Sequence, residues 1–566
     1  MKVDILIKGS QVFNVYQKSF ELWDVAIIGD TFAYVGKPLS EVVSDCVIDG
    51  RGKYLIPGLV DIHLHIESTM LTPIEFSTGI IAHGTTTAVT DPHEIANVFG
   101  LDGVETMMAM QDGPADIFYG IPSSVPSTPF ETTGGDFGPE EVRALLRNKK
   151  VVCLGEVMNF HDLIAEGSTK TKRLIEAMHD GNTQPIIEGH CPKLSGLDLQ
   201  KFLYAGVDAD HTQQTVESLL EKINAGMFIE IQGKSLSQEL VQAIVQKRLS
   251  EHCCLVTDDT MVDILQYEGH LSRVYRQAVE YGLPVEEAIY MSTYTPARRM
   301  KLTNRGSIAP GRLADFLLVQ DIEHLASIEV YKNGKPVVLT ENTASDRQFP
   351  EKYYRSVNLE MLLPKDFEIF APGESAVCRM MEINSESTFT EEKAVEIPVV
   401  HNNLDWESQG VALVAVFDRY NGKNKSFGFV SGTCLNQGAV ATTYAHDHHN
   451  LMVVGMTVRD MVCAANRVIG MQGGMVAVRD EKVQAEIPLP VAGILSDAPL
   501  KVVADQMKEF RLAIEELGWK HHNPIMSLGT LSLPVSPALK ITDQGLVDVR
   551  QGKVVPLIRD DLQYLT

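Results

Sequence analysis

The sequence predicts an α/β protein: a (β/α)8 barrel of the TIM type, a small flanking β-sandwich-like domain and a C-terminal α/β domain. Three observations predict it. Between residues 58 and 304, short apolar runs alternate with amphipathic helical stretches, as in a parallel sheet with crossover helices. Strand-and-turn material lies on both sides of that region. The chain's 566 residues also exceed what one core can bury, so about three or four domains of roughly 150 residues are expected, a large barrel counting as one.

The elements follow in order. Residues 1–57 contain VDILIKG, DVAIIGD, FAYVGK and KYLIPG, which read as short strands joined by turns. Similar material returns at 305–345, in GSIAPGRLADFLLVQD and IEVYKNGKPVVL, and the two pieces are expected to pair into one small β domain. Between them lie LVDIHLH, TTTAVTD, ADIFYG, VVCLGE, QPIIEGH, GVDADH, GMFIEI and CLVTDD. These eight strands suit a closed barrel of about 250 residues. From 365 to 566, apolar runs such as MVVGM and GMVAVRD alternate with helices and mark the C-terminal domain.

Composition narrows the task. With 49 basic against 74 acidic residues, the formal net charge of -25 repels nucleic acid and anionic membrane and favours a small-molecule role. No run approaches about 20 apolar residues and the chain opens directly on strand-like sequence, so a cytoplasmic protein is expected. Eight scattered cysteines without a CxxC suit reduced thiols, and the adjacent Cys253 and Cys254 suit strand packing.

The strand ends carry the chemistry. His63 and His65 are two residues apart on an extended strand, so both imidazoles look into the same space while Leu64 looks away. Barrel enzymes build their sites from the C-terminal ends of several strands. Here those ends supply His63, His65, Asp91, Glu156, His190, His211 and Asp258. A single His or Glu at a strand end is ordinarily a loop-facing residue. Together, these nitrogen and carboxylate groups without a thiolate describe a site for Zn, Mn or Fe, with a carboxylate able to bridge a second ion.

The order of HxH after strand one, Glu after four, His after five and six, and Asp after eight resembles the amidohydrolase superfamily. PGLVDIHLHIESTMLTP, GTTTAVTDPHEIANVFG, SVPSTPFETTGG, LGEVMNF, EGHCPKLSGLDL and AHDHHNLMVVG resemble the bacterial adenine deaminases, over nearly the whole chain. The resemblance implies one metal on His63, His65 and Asp258, a second on His190 and His211, and Glu156 bridging them. Mn2+ or Fe2+ is favoured on the same ground, with Zn2+ also compatible. The implied reaction is hydrolysis of a 6-aminopurine base by metal-activated water, adenine giving hypoxanthine and ammonia, with Asp258 moving the proton. No nucleotide or flavin motif is present, and a homo-oligomer, most simply a dimer, is expected.

Other residues carry paired readings. Glu67 lies just past the first ligands and is positioned to act on the purine; alternatively it is a helix-start carboxylate beside Ser68 or Thr69. Asp91, His93 and Glu94 form either a substrate contact or an extra metal site, or a hydrogen-bonded brace for their loop. The family pattern has Glu after the strand-six histidine, where this chain has Thr212, and His161-Asp162 replaces a Pro-Gly turn. Thr212 is therefore expected to set substrate preference, and an N6-substituted adenine such as N6-methyladenine becomes a candidate. The run Ala445 to Asn450, AHDHHN, reads as a solvated or hydrogen-bonded loop, with a third metal site or a cover for the barrel mouth as alternatives. Two other classes stay open. One is cyclic amide hydrolysis, disfavoured because many such enzymes use a carboxylated lysine where Glu156 stands. The other is a non-catalytic binding relative, disfavoured because all six ligands are present.

Overall fold

The first strand-and-turn piece folds as β1 (Lys2–Asn14), β2 (Ser19–Ile28), β3 (Thr31–Gly36), β4 (Val43–Asp49) and β5 (Tyr54–Pro57). It pairs with the piece that follows the eight parallel strands, and the fold is described over residues 2–180, 184–339, 348–385 and 387–559 of a computed structural model. Residues 340–345 of the second strand-rich piece and 560–566 of the C-terminal stretch lie outside the described residues.

The parallel strands are β6 (Leu59–Leu64), β7 (Thr85–Thr90), β8 (Asp116–Ile121), β9 (Val151–Val157), β10 (Ile187–Gly189), β11 (Ala209–Asp210), β12 (Phe228–Ile231) and β13 (Cys253–Leu255). Each overlaps one of the eight predicted runs, although β13 starts one residue before CLVTDD and covers only its first two residues. β6 to β10 form one parallel sheet and β11 to β13 another. Two contacts close the ring: a parallel bridge between Leu64 and Asp258, and the Asp208 amide donating to the Ile187 carbonyl at 3.3 Å. Val60, Ile62, Val89, Cys153, Cys254 and Val256 pack as one apolar cluster against Ala297 at the end of the helix Val285–Arg299 and Met300 and Leu302 beyond it. Cys253 faces a different cluster from Cys254, as strand alternation requires, and all eight cysteines are free.

β14 (Phe316–Val319), β15 (Glu329–Lys332) and β16 (Lys335–Pro336) complete the flanking sheet, whose order is β16-β15-β14-β5-β1-β2-β3 with β4 alongside β1. The two pieces are joined in register, Leu55 opposite Leu318 and Ile56 opposite Leu317. Ile7, Val12, Val25, Leu55, Phe316 and Leu318 bury one shared face.

The C-terminal sheet contains β17 (Ser375–Ile383), β18 (Thr390–Val400), β19 (Asn403–Leu404), β20 (Ala412–Phe417), β21 (Lys425–Gly432), β22 (Ala439–Thr442), β23 (Leu451–Gly455), β24 (Gly474–Arg479) and β25 (Lys482–Pro488). Its order, β19-β18-β17-β21-β20-β23-β22-β24-β25, is antiparallel except where β17 meets β21. The largest apolar core is continuous: it includes Leu64, Ile95 and Leu265 of the barrel region together with Val440, Tyr444, Ile494 and Phe510. The C-terminal unit is therefore packed onto the barrel, with the Ser496 amide donating to the Met70 carbonyl at 2.7 Å and Arg511 paired with Asp263 at 2.7 Å. Among the described residues no helix is long and apolar enough to cross a membrane.

Candidate active site

Six side chains predicted as ligands meet at one end of the barrel. The Glu156 carboxylate is central. One oxygen, Oε1, lies 3.5 Å from His65 Nε2, and the other, Oε2, lies 2.8 Å from His190 Nδ1 and 3.1 Å from His211 Nε2. Asp258 Oδ1 approaches His65 Nε2 at 3.4 Å and His63 Nε2 at 3.9 Å. His63 stacks on His211 with ring centroids 3.7 Å apart. The result is two ligand groups, His63-His65 and His190-His211, with Glu156 reaching both.

The ring orientations follow from what holds the other nitrogen. His65 Nδ1–H donates to the Asp91 carbonyl at 3.0 Å and His211 Nδ1–H to the Gly189 carbonyl at 3.1 Å. A carbonyl can only accept, so both rings carry the proton on Nδ1 and turn an Nε2 lone pair into the site. His63 Nδ1 faces Glu230 Oε2 at 3.2 Å, and its Nε2 is buried with no hydrogen-bond partner among the described residues. Burial pushes His63 down to about 3, which keeps its lone pair available. Imidazoles whose Nδ1 is held by a carbonyl, ionised carboxylates and an orphaned ring nitrogen fit divalent transition ions.

Electrostatics support ionised carboxylates. Burial would raise Glu156, but His211 and His190 hold it well below the usual range. Asp258 is likewise held low against burial, by its hydrogen bond to His65 and the charges of Lys234 and His211. Its backbone sits in the left-handed region, at φ 59°, a conformation that costs energy for a non-glycine residue and recurs at functional sites. Lys234 Nζ lies 3.5 Å from Asp258 Oδ2.

The remaining expectations separate. Asp91 Oδ2 accepts the Glu156 amide at 2.8 Å, so Asp91 braces the strand that carries the central carboxylate. Gly155 makes room for it: a Cβ there would lie 2.1 Å from Asp91 Oδ2. His93 Nδ1 is 3.7 Å from Asp91 Oδ1 and 3.9 Å from Glu156 Oε1, a looser arrangement than a hydrogen-bonded pair. Glu67 is fully buried; its Oε1 accepts the Ile95 amide at 3.1 Å, at the start of the helix His93–Ala109, while Oε2 has no partner. Burial pushes it up to about 7.

Thr212 does not face the reacting centre. Its hydroxyl lies 2.8 and 3.0 Å from the two oxygens of Asp210, in a buried network with Gln214 and Lys222. His211 turns into the barrel, so residues 210 and 212 turn out of it. The preference for an N6-substituted purine rested on Thr212 and loses that support. The loop from Ala445 to Asn450 is buried, which excludes the solvated reading, and it is hydrogen-bonded to the barrel: His446 Nδ1 lies 2.5 Å from Glu94 Oε1, and His449 bonds the other Glu94 oxygen.

Sequence reasoning missed Glu230, Lys234 and Asp259. Glu230 left a signal, a charge between Ile229 and Ile231 in an apolar strand that must face the opposite way from both. Asp259 accepts the Ser68 hydroxyl at 2.5 Å.

Residues 54–195 and 247–340 match the amidohydrolase family, and 387–553 match the adenine deaminase C-terminal domain. The adenine deaminase of Clostridium perfringens is 48% identical over 99% of this chain and 100% of its own. Adenine deaminase 2 of Shouchella clausii is 45% identical over 98% of this chain and 99% of its own. A crystal structure of an adenine deaminase covers 59% of this chain and 99% of its own with 16% identity and a TM-score of 0.45. Near-half identity over the full length, with matches in both the barrel and the C-terminal unit, places this chain in the adenine deaminase family of the amidohydrolases.

Proposed function

We propose that this chain is a metal-dependent hydrolase that converts adenine to hypoxanthine and ammonia. The observation that carries the mechanism is Glu156, whose two oxygens face different histidine groups. His63, His65 and Asp258 would hold one divalent ion, His190 and His211 the other, and Glu156 both. Manganese or iron is the preferred identity, on the family resemblance. When bound, such a pair supplies the Lewis acidity that brings water to its nucleophilic form near neutral pH.

The chain's own groups account for the rest. Asp258, held ionised, accepts the proton released as water adds to C6 and returns it to N6, so that the C6–N6 bond breaks and ammonia departs. Lys234 stabilises that carboxylate from the solvent side. Glu67, buried and raised toward neutrality with one free oxygen, is suited to exchange a proton with a ring nitrogen of the purine.

Ammonia release from adenine by the reconstituted protein tests the activity. Asp258→Asn tests the role, because Asn still offers an oxygen to the ion and cannot accept the proton. It should lose about 10²-fold or more of kcat while retaining most of the metal. Ordinary turnover in this variant would reject Asp258 as the proton carrier.

A further inference from the structure

Beside the histidine and carboxylate groups around Glu156 lies a second convergence, built by two units that meet only in the folded chain. His93 and Glu94 begin the helix His93–Ala109, and His446 and Asp447 come from the loop between β22 and β23. Glu94 Oε1 lies 2.5 Å from His446 Nδ1 and 3.5 Å from His93 Nε2. Asp447 Oδ1 lies 3.7 Å from His446 Nδ1 and 4.0 Å from His93 Nε2. All four side chains are at most 6% exposed.

A tetrahedral ion with bonds of about 2.0–2.2 Å to nitrogen and oxygen sets its ligands about 3.3–3.6 Å apart. Three of the four separations fall within about half an ångström of that edge, and the fourth requires His446 and Glu94 to part by about 1 Å. The surroundings are those of a ligand set. His449 Nδ1 accepts the Ala445 amide at 3.3 Å, so its Nε2–H donates to Glu94 Oε2 and leaves Oε1 to point at the other three groups. Asp447 Oδ2 is buried with no hydrogen-bond partner among the described residues.

We propose that His93, Glu94, His446 and Asp447 hold a third divalent transition ion that pins the C-terminal loop to the barrel. Two nitrogens and two oxygens close a four-coordinate shell with no position left for substrate, so the ion is structural and Zn2+ suits it best. None of the six residues of the Glu156 site is used.

The test is a metal count on the full-length chain, stripped with a chelator, reloaded with Zn2+ and freed of excess. The wild type should keep three ions per chain, and His446→Ala and Asp447→Asn should each keep two. Loading with Co2+ should give the visible bands of a tetrahedral ion in the wild type and lose them in Asp447→Asn. That conservative variant covers the case in which His446→Ala does not fold. A wild type that saturates at two ions overturns the proposal whatever the variants do, and shows imidazolium protons holding the four groups together. Variants that retain three ions overturn it as well. Failure of the pair around Glu156 looks different: His190→Ala would then keep both its ion count and its turnover.

Discussion

Gly155→Ala perturbs the site without removing any ligand. A Cβ at this position would lie 2.1 Å from Asp91 Oδ2, 2.4 Å from its Cγ and 2.7 Å from Oδ1, where ordinary contact begins at 3.4 Å. Asp91 must retreat by about 1.3 Å. It then loses the Glu156 amide that it now accepts at 2.8 Å. Overpacking costs about 1–3 kcal/mol and a buried orphaned amide about 1–3 kcal/mol, so the variant should lose about 2–6 kcal/mol of stability. A displacement of about 1 Å at Glu156 should also lower kcat/KM for adenine by about 10²-fold. Thermal unfolding, ion content and kcat/KM should be measured on Gly155→Ala, Asp91→Ala and the double variant. Removing the obstructing carboxylate relieves the clash, so the double variant should be at least about 0.5 kcal/mol more stable than the two single losses predict. The reasoning is refuted if Gly155→Ala melts and turns over like its parent, or if the two losses simply add.

Three further outcomes are expected. Glu230→Ala frees His63 Nδ1, now 3.2 Å from that carboxylate, and should weaken metal affinity about 10–100-fold, read by titrating activity against added metal; unchanged affinity would show that Glu230 does not orient the ring. Asp116 ties β8 to the flanking sheet through Lys332 and Arg305, each at 2.7 Å, and these charges hold its carboxyl low against the opposing effect of burial. A depressed carboxyl contributes stability that is full above its unfolded value of 3.8 and fades as pH falls through its lower folded value. Asp116→Asn should therefore cost about 1–2 kcal/mol at neutral pH, discounted because the side chain is 39% exposed, and the gap in urea unfolding should narrow in acid. Thr212→Glu would bury a second carboxylate against Asp210, so it should lower the melting temperature and leave the adenine to N6-methyladenine ratio of kcat/KM unchanged; a shifted ratio with an unchanged melting temperature would return Thr212 to the substrate pocket.

The barrel strands and the candidate ligands at their ends were legible in the sequence because both are local. A strand of period two states which residues share a face, and a parallel strand with a crossover helix states which end opens on the site, so the strand ends offered His63, His65, Asp91, Glu156, His190, His211 and Asp258, and the family resemblance set Asp91 apart from the other six. Strand seven ends in Ile231 and so offers no ligand at its tip, while Glu230 one residue earlier reaches His63. Thr212 shows the limit from the other side. Adjacency to His211 placed it near the chemistry in sequence, and the alternation of the same strand turned it to Asp210. AHDHHN was the least legible stretch, since a run of polar side chains looks solvated until something covers it. Only the tertiary structure brings Glu94 to it, and with Glu94 the burial and hydrogen bonds that local periodicity cannot state, because they depend on which distant segments share one core.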